Sequence, residues 1–140
     1  MQFKLEVVVI PVTDVDRAKA FYADALGFPV DVDAAPREGF RVVQMTPEGS
    51  GCSVTIGTGL TEMAPGSLKG LQLCVADIEA AHALLQDRGV PVTPVRHHDG
   101  SGFVDGRSDD DWNSFFFFDD PDGNSWAVQE SPAMRASAAG

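Results

Sequence analysis

Cysteine is scarce. Cys52 and Cys74 are the whole supply, with no CxxC pair and no metal-finger spacing, so neither a disulfide framework nor a structural zinc site is expected. Long apolar runs are missing too, since none approaches the roughly 18 residues of a membrane span. The first residues lack a basic segment followed by an apolar core, which leads to the expectation of a cytoplasmic protein that engages no membrane. Basic residues are few: 10 Lys and Arg stand against 21 Asp and Glu, a formal net charge of −11. Nucleic acid is disfavoured as a partner, because binding it needs a basic stripe to displace counterions. GxSxG, Walker and dinucleotide fingerprints are also absent.

What is present suits a folded protein. With 44% hydrophobic and 22% charged residues over 140 positions, the chain is expected to form one domain, or two small modules sharing a core. The acid is uneven, with Asp99, Asp105, Asp109, Asp110, Asp111, Asp119, Asp120 and Asp122 in one short region. A solvated acidic loop is the plainer reading, and a site for a cation or cationic ligand the alternative.

Lys4 to Val12 reads as a buried strand, apolar on both faces. Thr13 or Asp14 can cap a helix starting near Val15, whose apolar stripe is Ala18, Phe21, Tyr22 and Ala25 and whose stop is Gly27. Strands are expected from Phe28-Pro29-Val30 onward, at Phe40 to Met45 and at Cys52 to Thr58, before a linker from Gly57 to Gly66. The pattern then restarts with a strand at Leu71 to Val75, Asp77 as helix cap, the stripe Ile78, Ala81, Leu84 and Leu85, and the stop Gly89. His82 on this helix is expected to be exposed. A long loop from His97 to Asn113 follows, then Phe115-Phe116-Phe117-Phe118, the turn Asp120-Pro121-Asp122-Gly123-Asn124, and a strand from Ser125 to Glu130.

The restart is an internal repeat. Val12, Asp14, Ala18 and Phe21 match Val75, Asp77, Ala81 and Leu84. Gly27-Phe28-Pro29-Val30 matches Gly89-Val90-Pro91-Val92, and Pro47-Glu48-Gly49-Ser50 matches Pro121-Asp122-Gly123-Asn124. Two tandem βαβββ modules are expected, spanning 1–60 and 67–130 of a single 1–130 domain, with 131–140 a flexible tail.

The segments Val12-Thr13-Asp14-Val15-Asp16-Arg17-Ala18-Lys19-Ala20-Phe21-Tyr22, Leu26-Gly27-Phe28, Val75-Ala76-Asp77-Ile78-Glu79-Ala80-Ala81 and Asp120-Pro121-Asp122-Gly123-Asn124 resemble the vicinal oxygen chelate superfamily. It contains glyoxalase I, extradiol dioxygenases, fosfomycin-resistance proteins and bleomycin-resistance binding proteins. The resemblance runs from about Phe3 to Glu130 and implies an α+β fold in which two modules build a cup-shaped mixed sheet. It leaves the reaction open, because the fold hosts unrelated chemistries.

In metal-bearing relatives, His and Glu or Gln hold a divalent ion with open positions. The resemblance places the ligands at Val7, Gly70, Ser53 and Ala127, none of them a conventional donor. Glu6 and Glu130 lie near but on the opposite strand face, whereas Gln72 and Gln129 keep the right parity. No metal or other cofactor is therefore expected. The same parity aims Leu5, Val7, Val9, Ser53, Thr55, Gln72, Cys74 and Gln129 into the cup, and Val8, Ile10, Val54, Leu71, Leu73, Val75, Trp126 and Val128 toward the helices. The inward set is an apolar wall with a few hydrogen-bonding groups, the usual make-up of a small-molecule pocket. A satisfied core without ligand is the competing reading.

Trp112 can fold over the cup and stack on a planar ligand, or pack on the domain. His97-His98-Asp99 reads as a solvated loop rather than a metal site, and Cys74, with no histidine nearby, as an inert core thiol. The expectation is thus a bleomycin-resistance-like protein, a homodimer, binding a small organic molecule without metal. The alternative is an enzyme: a lyase or dioxygenase with metal ligands displaced to Glu6, His97, His98 or Glu130, or a metal-free isomerase or cyclase with Glu130 or an acidic-loop Asp as base.

Overall fold

A computed structural model describes residues 1–139, the side chains of 136–139 excepted. The chain divides into two compact units, Met1–Leu68 with Asp120–Asn124, and Lys69–Asp119 with the residues from Ser125 onward. The fold is α+β, with two mixed sheets of four and five strands.

In the first unit, β1 (Val7–Val9) runs parallel to β4 (Ser53–Thr58). The order continues through antiparallel β3 (Phe40–Met45) to β2 (Val30–Arg37). Val43 pairs with Ile56 and Met45 with Val54, and all four are buried because alternation sends them to one face. Ile10, Val15, Ala18 and Tyr22 complete that core. Asp14 caps α1 (Val15–Lys19), its carboxylate accepting the Arg17 N–H at 3.0 Å. The helix then widens into a π-helical segment, Ala20–Ala25, where the Leu26 N–H reaches back to the Phe21 carbonyl. Tyr22 stays in the core, while Phe21 and Ala25 of the expected stripe are only half-buried. Gly27, at φ +78°, ends the helix.

β1 is shorter and more open than the expected strand from Lys4 to Val12. Leu5 is 70% and Val7 40% exposed, because β1 lies at the sheet edge with β4 as its only neighbour. On the outer side Arg41 bonds Asp33 and Asp16, and Lys19 bonds Asp33 at 2.7 Å, tying β2 and β3 to α1. The Arg41 guanidinium, seconded by Lys19, pulls the Asp33 carboxyl down to about 2.

The second unit repeats this order. β5 (Leu71–Val75) is parallel to β9 (Ser125–Glu130), followed by β8 (Phe115–Asp119) and β6 (Arg96–His98). One extra edge strand, β7 (Phe103–Asp105), pairs with β6. Asp77 caps α2 (Ile78–Asp87) by accepting from Glu79 N–H and Ala80 N–H. Ile78 and Leu85 of the expected stripe are buried, but Leu84 is exposed: only one edge of the stripe meets the sheet. His82 is half-buried rather than exposed, with Nε2 2.9 Å from the Thr93 carbonyl and its ring edge-on to Phe116.

The stretch read as a long loop holds the β6–β7 hairpin, so His97 and His98 are strand residues. The acidic run disperses into local tasks: Asp99 accepts from Ser101 and Gly102, while Asp105, Asp109 and Asp111 pair with Arg96, Arg107 and Arg135. α3 (Pro132–Ala139) occupies the stretch whose composition suggests a flexible tail, and Gly140 lies outside the described residues. Among those residues no helix is long and apolar enough to cross a membrane.

The turn Asp120–Asn124 belongs to the first unit. Buried Asp120 accepts from Tyr22 Oη at 2.7 Å and from the Asp122 and Asn124 N–H groups. Asn124 donates to the Pro11 carbonyl and accepts from Leu68 N–H. Asp122 takes Thr13 Oγ1 at 2.6 Å and Arg17 at 3.2 Å. A side chain at Gly66, φ +78°, would put Cβ 2.1 Å from the Asp122 carbonyl oxygen, so close approach and backbone conformation both require glycine there.

Candidate functional site

Each sheet has a face turned away from its helix. In the first unit the register pairs Val7 with Ser53 and Val9 with Thr55, so these four expected site residues share one face. Thr55 is paired with Gln44, and Gln44 with Val32. Ser53 and Thr55 are themselves buried. The Ser53 hydroxyl lies 2.7 Å from Thr46 Oγ1, which also donates to Asp31, and Gln44 Nε2 approaches Ser53 at 3.4 Å. The face is therefore aliphatic along β1 and β2, with a satisfied hydroxyl–carboxylate cluster between them.

In the second unit the pairs Gln72–Ala127 and Cys74–Gln129 continue across β9 to Phe117 and Phe115. Arg96 continues the Phe115 row, and His98, two residues further along β6, pairs with Phe103. Cross-strand partners point the same way, so this face carries three phenylalanines. Their rings touch: Phe103 lies edge-on to Phe115 at 5.7 Å and to Phe117 at 5.5 Å, and Phe115 stacks with Phe117 at 6.2 Å. His98 meets Phe103 edge-on, and its Nδ1 accepts the Gly100 N–H. Phe103 is 51% exposed. Beside this wall Gln72 Nε2 donates to Gln129 Oε1 at 2.6 Å, and Gln129 Nε2 donates to the Trp112 carbonyl at 2.8 Å. Trp112 is itself half exposed and holds a φ of +65°.

Gln72, Cys74, Gln129 and Trp112 are thus brought together in the second unit. Cys74 is exposed there, not a core thiol, because it alternates with Leu73 and Val75 on the opposite face. The three phenylalanines were not among the expected site residues, and His98 was named only as a displaced metal ligand under the enzyme alternative. A run of four phenylalanines has no alternation to read, but pairing it with Ala127 and Gln129 across the turn would have selected Phe115 and Phe117.

Glu130 points the other way, under α2. Its carboxylate accepts from Arg107 Nη2 at 2.6 Å, Arg107 Nε at 3.2 Å, Arg135 Nη1 at 3.1 Å and the Ile78 N–H at 3.0 Å. Arg107 first, then the Ile78 N–H and Arg135, hold its carboxyl below the ordinary value against the opposing effect of burial. A carboxylate so neutralised is a weak proton acceptor, and its place speaks for clamping α2 rather than for general-base chemistry. His97, on the face opposite His98, bonds the Gly106 carbonyl.

The positions at which related folds bind a divalent ion do not fit one here. Val7, Gly70 and Ala127 carry no donor side chain, and the Ser53 hydroxyl is engaged by Thr46. Among the described residues no three His, Cys, Asp or Glu side chains converge to hold a metal. A separate cavity of about 260 Å³ lies in the first unit between Pro11–Thr13 and the loop from Gly57 to Pro65, and it includes none of the expected site residues.

The family described as the Glyoxalase/Bleomycin resistance protein/Dioxygenase superfamily matches residues 4–128. Among solved structures, TnmS3, an antibiotic binding protein from Streptomyces sp. CB03234, is 32% identical. The match covers 93% of this chain and 97% of that one, with a TM-score of 0.74. A glyoxalase/bleomycin resistance protein from the same Streptomyces is 33% identical over 90% of this chain and 99% of that one, TM-score 0.70. A superfamily member from Sphaerobacter thermophilus DSM 20745 is 28% identical over 93% and 98%, TM-score 0.74. No curated protein matches the chain.

Proposed function

Because the chain belongs to the Glyoxalase/Bleomycin resistance protein/Dioxygenase superfamily and has its fold, we propose that it binds a planar aromatic small molecule on the open face of the second sheet, without a metal ion. The observation that carries this reading is the cluster of Phe103, Phe115 and Phe117, partly open to solvent. Aromatic surface left uncovered is unfavourable in water and favours a flat apolar partner, to which stacking adds about 0.5–1.5 kcal/mol per ring pair. The amides of Gln72 and Gln129 supply the few polar groups that orient a ligand in such sites. The description of TnmS3 as antibiotic binding supports a small organic molecule as the ligand class. The donor set at the family's metal positions supports the metal-free part of the reading.

The test is calorimetric titration of the purified protein with a panel of planar aromatic compounds, run beside elemental analysis. Binding is expected for the wild type and about tenfold weaker for Phe117→Ala, the loss of one stacked ring. If no planar compound binds, the aromatic site is wrong. If a transition metal copurifies in one-to-one ratio and binding is lost on removing it, the metal-free reading is wrong. The exposed apolar side chains of Met1, Phe3 and Leu5, in the segment before β1, and of Val7 at its start support a homodimer, which light scattering during size-exclusion chromatography tests.

A further inference from the structure

The amides beside the aromatic wall have their orientation set by one fixed point. The Trp112 carbonyl can only accept, so the Gln129 atom 2.8 Å from it is the donor Nε2. Gln129 therefore turns Oε1 toward Gln72, which must present its own Nε2, at 2.6 Å. Each amide is decided by the one before it. The remaining atom, Gln72 Oε1, has no hydrogen-bond donor among the described residues. It is an acceptor on an exposed side chain. Its strand partner is Ala127, which contributes only a methyl group, and Phe117 stands opposite Ala127 on the next strand. Two inter-strand spacings, roughly 10 Å, separate the Gln72 and Phe117 backbones. A flat molecule lying on Phe117 and over Ala127 would bring its edge to Gln72.

Trp112 gives this relay its anchor. Among the described residues it is the one non-glycine with positive φ, a strained conformation that persists only where surrounding bonds hold it. The bond from Gln129 to its carbonyl is such a restraint.

We propose that Gln72 is a specificity-determining residue: it selects planar ligands that carry an N–H or O–H donor on the edge facing it. Gln129 and the Trp112 carbonyl act as positioning groups that keep Gln72 Oε1, rather than its NH₂, turned toward the ligand. The proposal rests on the aromatic site of the preceding subsection and adds to it a required ligand group.

Acridone and N-methylacridone test it, since they share one ring system and differ in the single N–H. Titrated calorimetrically into the full chain, acridone is expected to bind about three- to tenfold tighter, the net yield of one hydrogen bond that replaces bonds to water. Gln72→Leu should bring the affinity ratio to about one while N-methylacridone still binds. Gln129→Leu leaves the Gln72 amide free to turn over and should also reduce the ratio. Both positions are on the open face, and melting curves identify any variant that fails to fold. The ratio of two affinities in one protein is insensitive to a general loss of stability. A wild-type ratio near one, or an unchanged ratio in Gln72→Leu, overturns the relay and leaves the aromatic site standing. Binding of neither compound by the wild type overturns both.

Discussion

Replacing Glu130 by glutamine is expected to destabilise the protein by about 2–3 kcal/mol at pH 7. The carboxylate, only 7% exposed, receives two bonds from Arg107, one from Arg135 and one from the Ile78 N–H at the start of α2. Bonds to a charged group contribute about 1.5–3 kcal/mol each, but the sum is not lost. Arg107 and Arg135, 31% and 42% exposed, recover water, and glutamine can still accept from Ile78. What remains is the loss of the charge and an NH₂ group set against guanidinium donors. At about 3 °C per kcal/mol for a chain of this size, the melting temperature should fall by roughly 8 °C. The pH dependence has a definite sign. The folded carboxyl is held below its ordinary 4.5, so its stabilisation is fully present above that value and is lost as pH falls through the folded pKa. The gap between wild type and Glu130→Gln should therefore be constant from pH 7 to about 5 and close below it. Differential scanning calorimetry from pH 7 to pH 3 at fixed ionic strength reads both. A gap under about 2 °C at pH 7, or one that widens on acidification, would refute the clamp.

Gly66→Ala should destabilise by at least about 2 kcal/mol, because its Cβ would meet the Asp122 carbonyl oxygen at 2.1 Å with φ at +78°. An unchanged urea midpoint would show that the turn is not seated there. Tyr22→Phe removes the 2.7 Å bond to buried Asp120 and should lower stability by about 2 kcal/mol with the urea m-value unaltered; a loss under 0.5 kcal/mol would sink that assignment. Carboxyl titration of Asp33 by NMR should give about 2, rising toward 3.8 in Arg41→Leu. Its stabilisation is present above pH 3.8 and fades toward pH 2, and screening at this partly exposed pair keeps it below about 1 kcal/mol. An Asp33 midpoint near 3.8 in the wild type would contradict the ion network.

The repeat was legible because both copies solve the same local problems with the same residues. Asp14 and Asp77 cap, Gly27 and Gly89 stop, and buried positions on β8 and β9 alternate with half-buried ones. The strand Leu71–Val75 followed from the alternation of Leu71, Leu73 and Val75 with Gln72 and Cys74, and the strand Phe40–Met45 stands where it was expected, before the turn that starts at Thr46. Other features depend on partners distant in the chain. The β6–β7 hairpin lies in a stretch of Asp, Gly and Ser, where turn chemistry masks two three-residue strands. The seat of Asp120–Asn124 on Pro11, Thr13 and Tyr22 spans about a hundred positions in sequence and leaves no local trace. Asp120 and Asp122 looked like members of a solvated acidic run, yet their carboxylates are among the most heavily bonded in the first unit.

The candidate site is harder to read than the fold for a related reason. Periodicity reports the buried face of a strand, because burial constrains every residue on it to be apolar. The open face is defined only by exclusion, and its chemistry is free to differ between copies. It does differ here: the first unit presents Val7, Val9 and a Ser53–Thr46–Asp31 cluster, whereas the second presents Phe103, Phe115, Phe117 and two amides. Equivalent strand positions thus carry hydroxyls in one copy and aromatic rings or carboxamides in the other. Alignment of the repeat therefore identifies which residues are free to vary, and register identifies where they meet. The four consecutive phenylalanines illustrate both steps. Phe116 and Phe118 are buried as core, and only the pairing of Phe117 with Ala127 and Phe115 with Gln129 places their neighbours together on the open face.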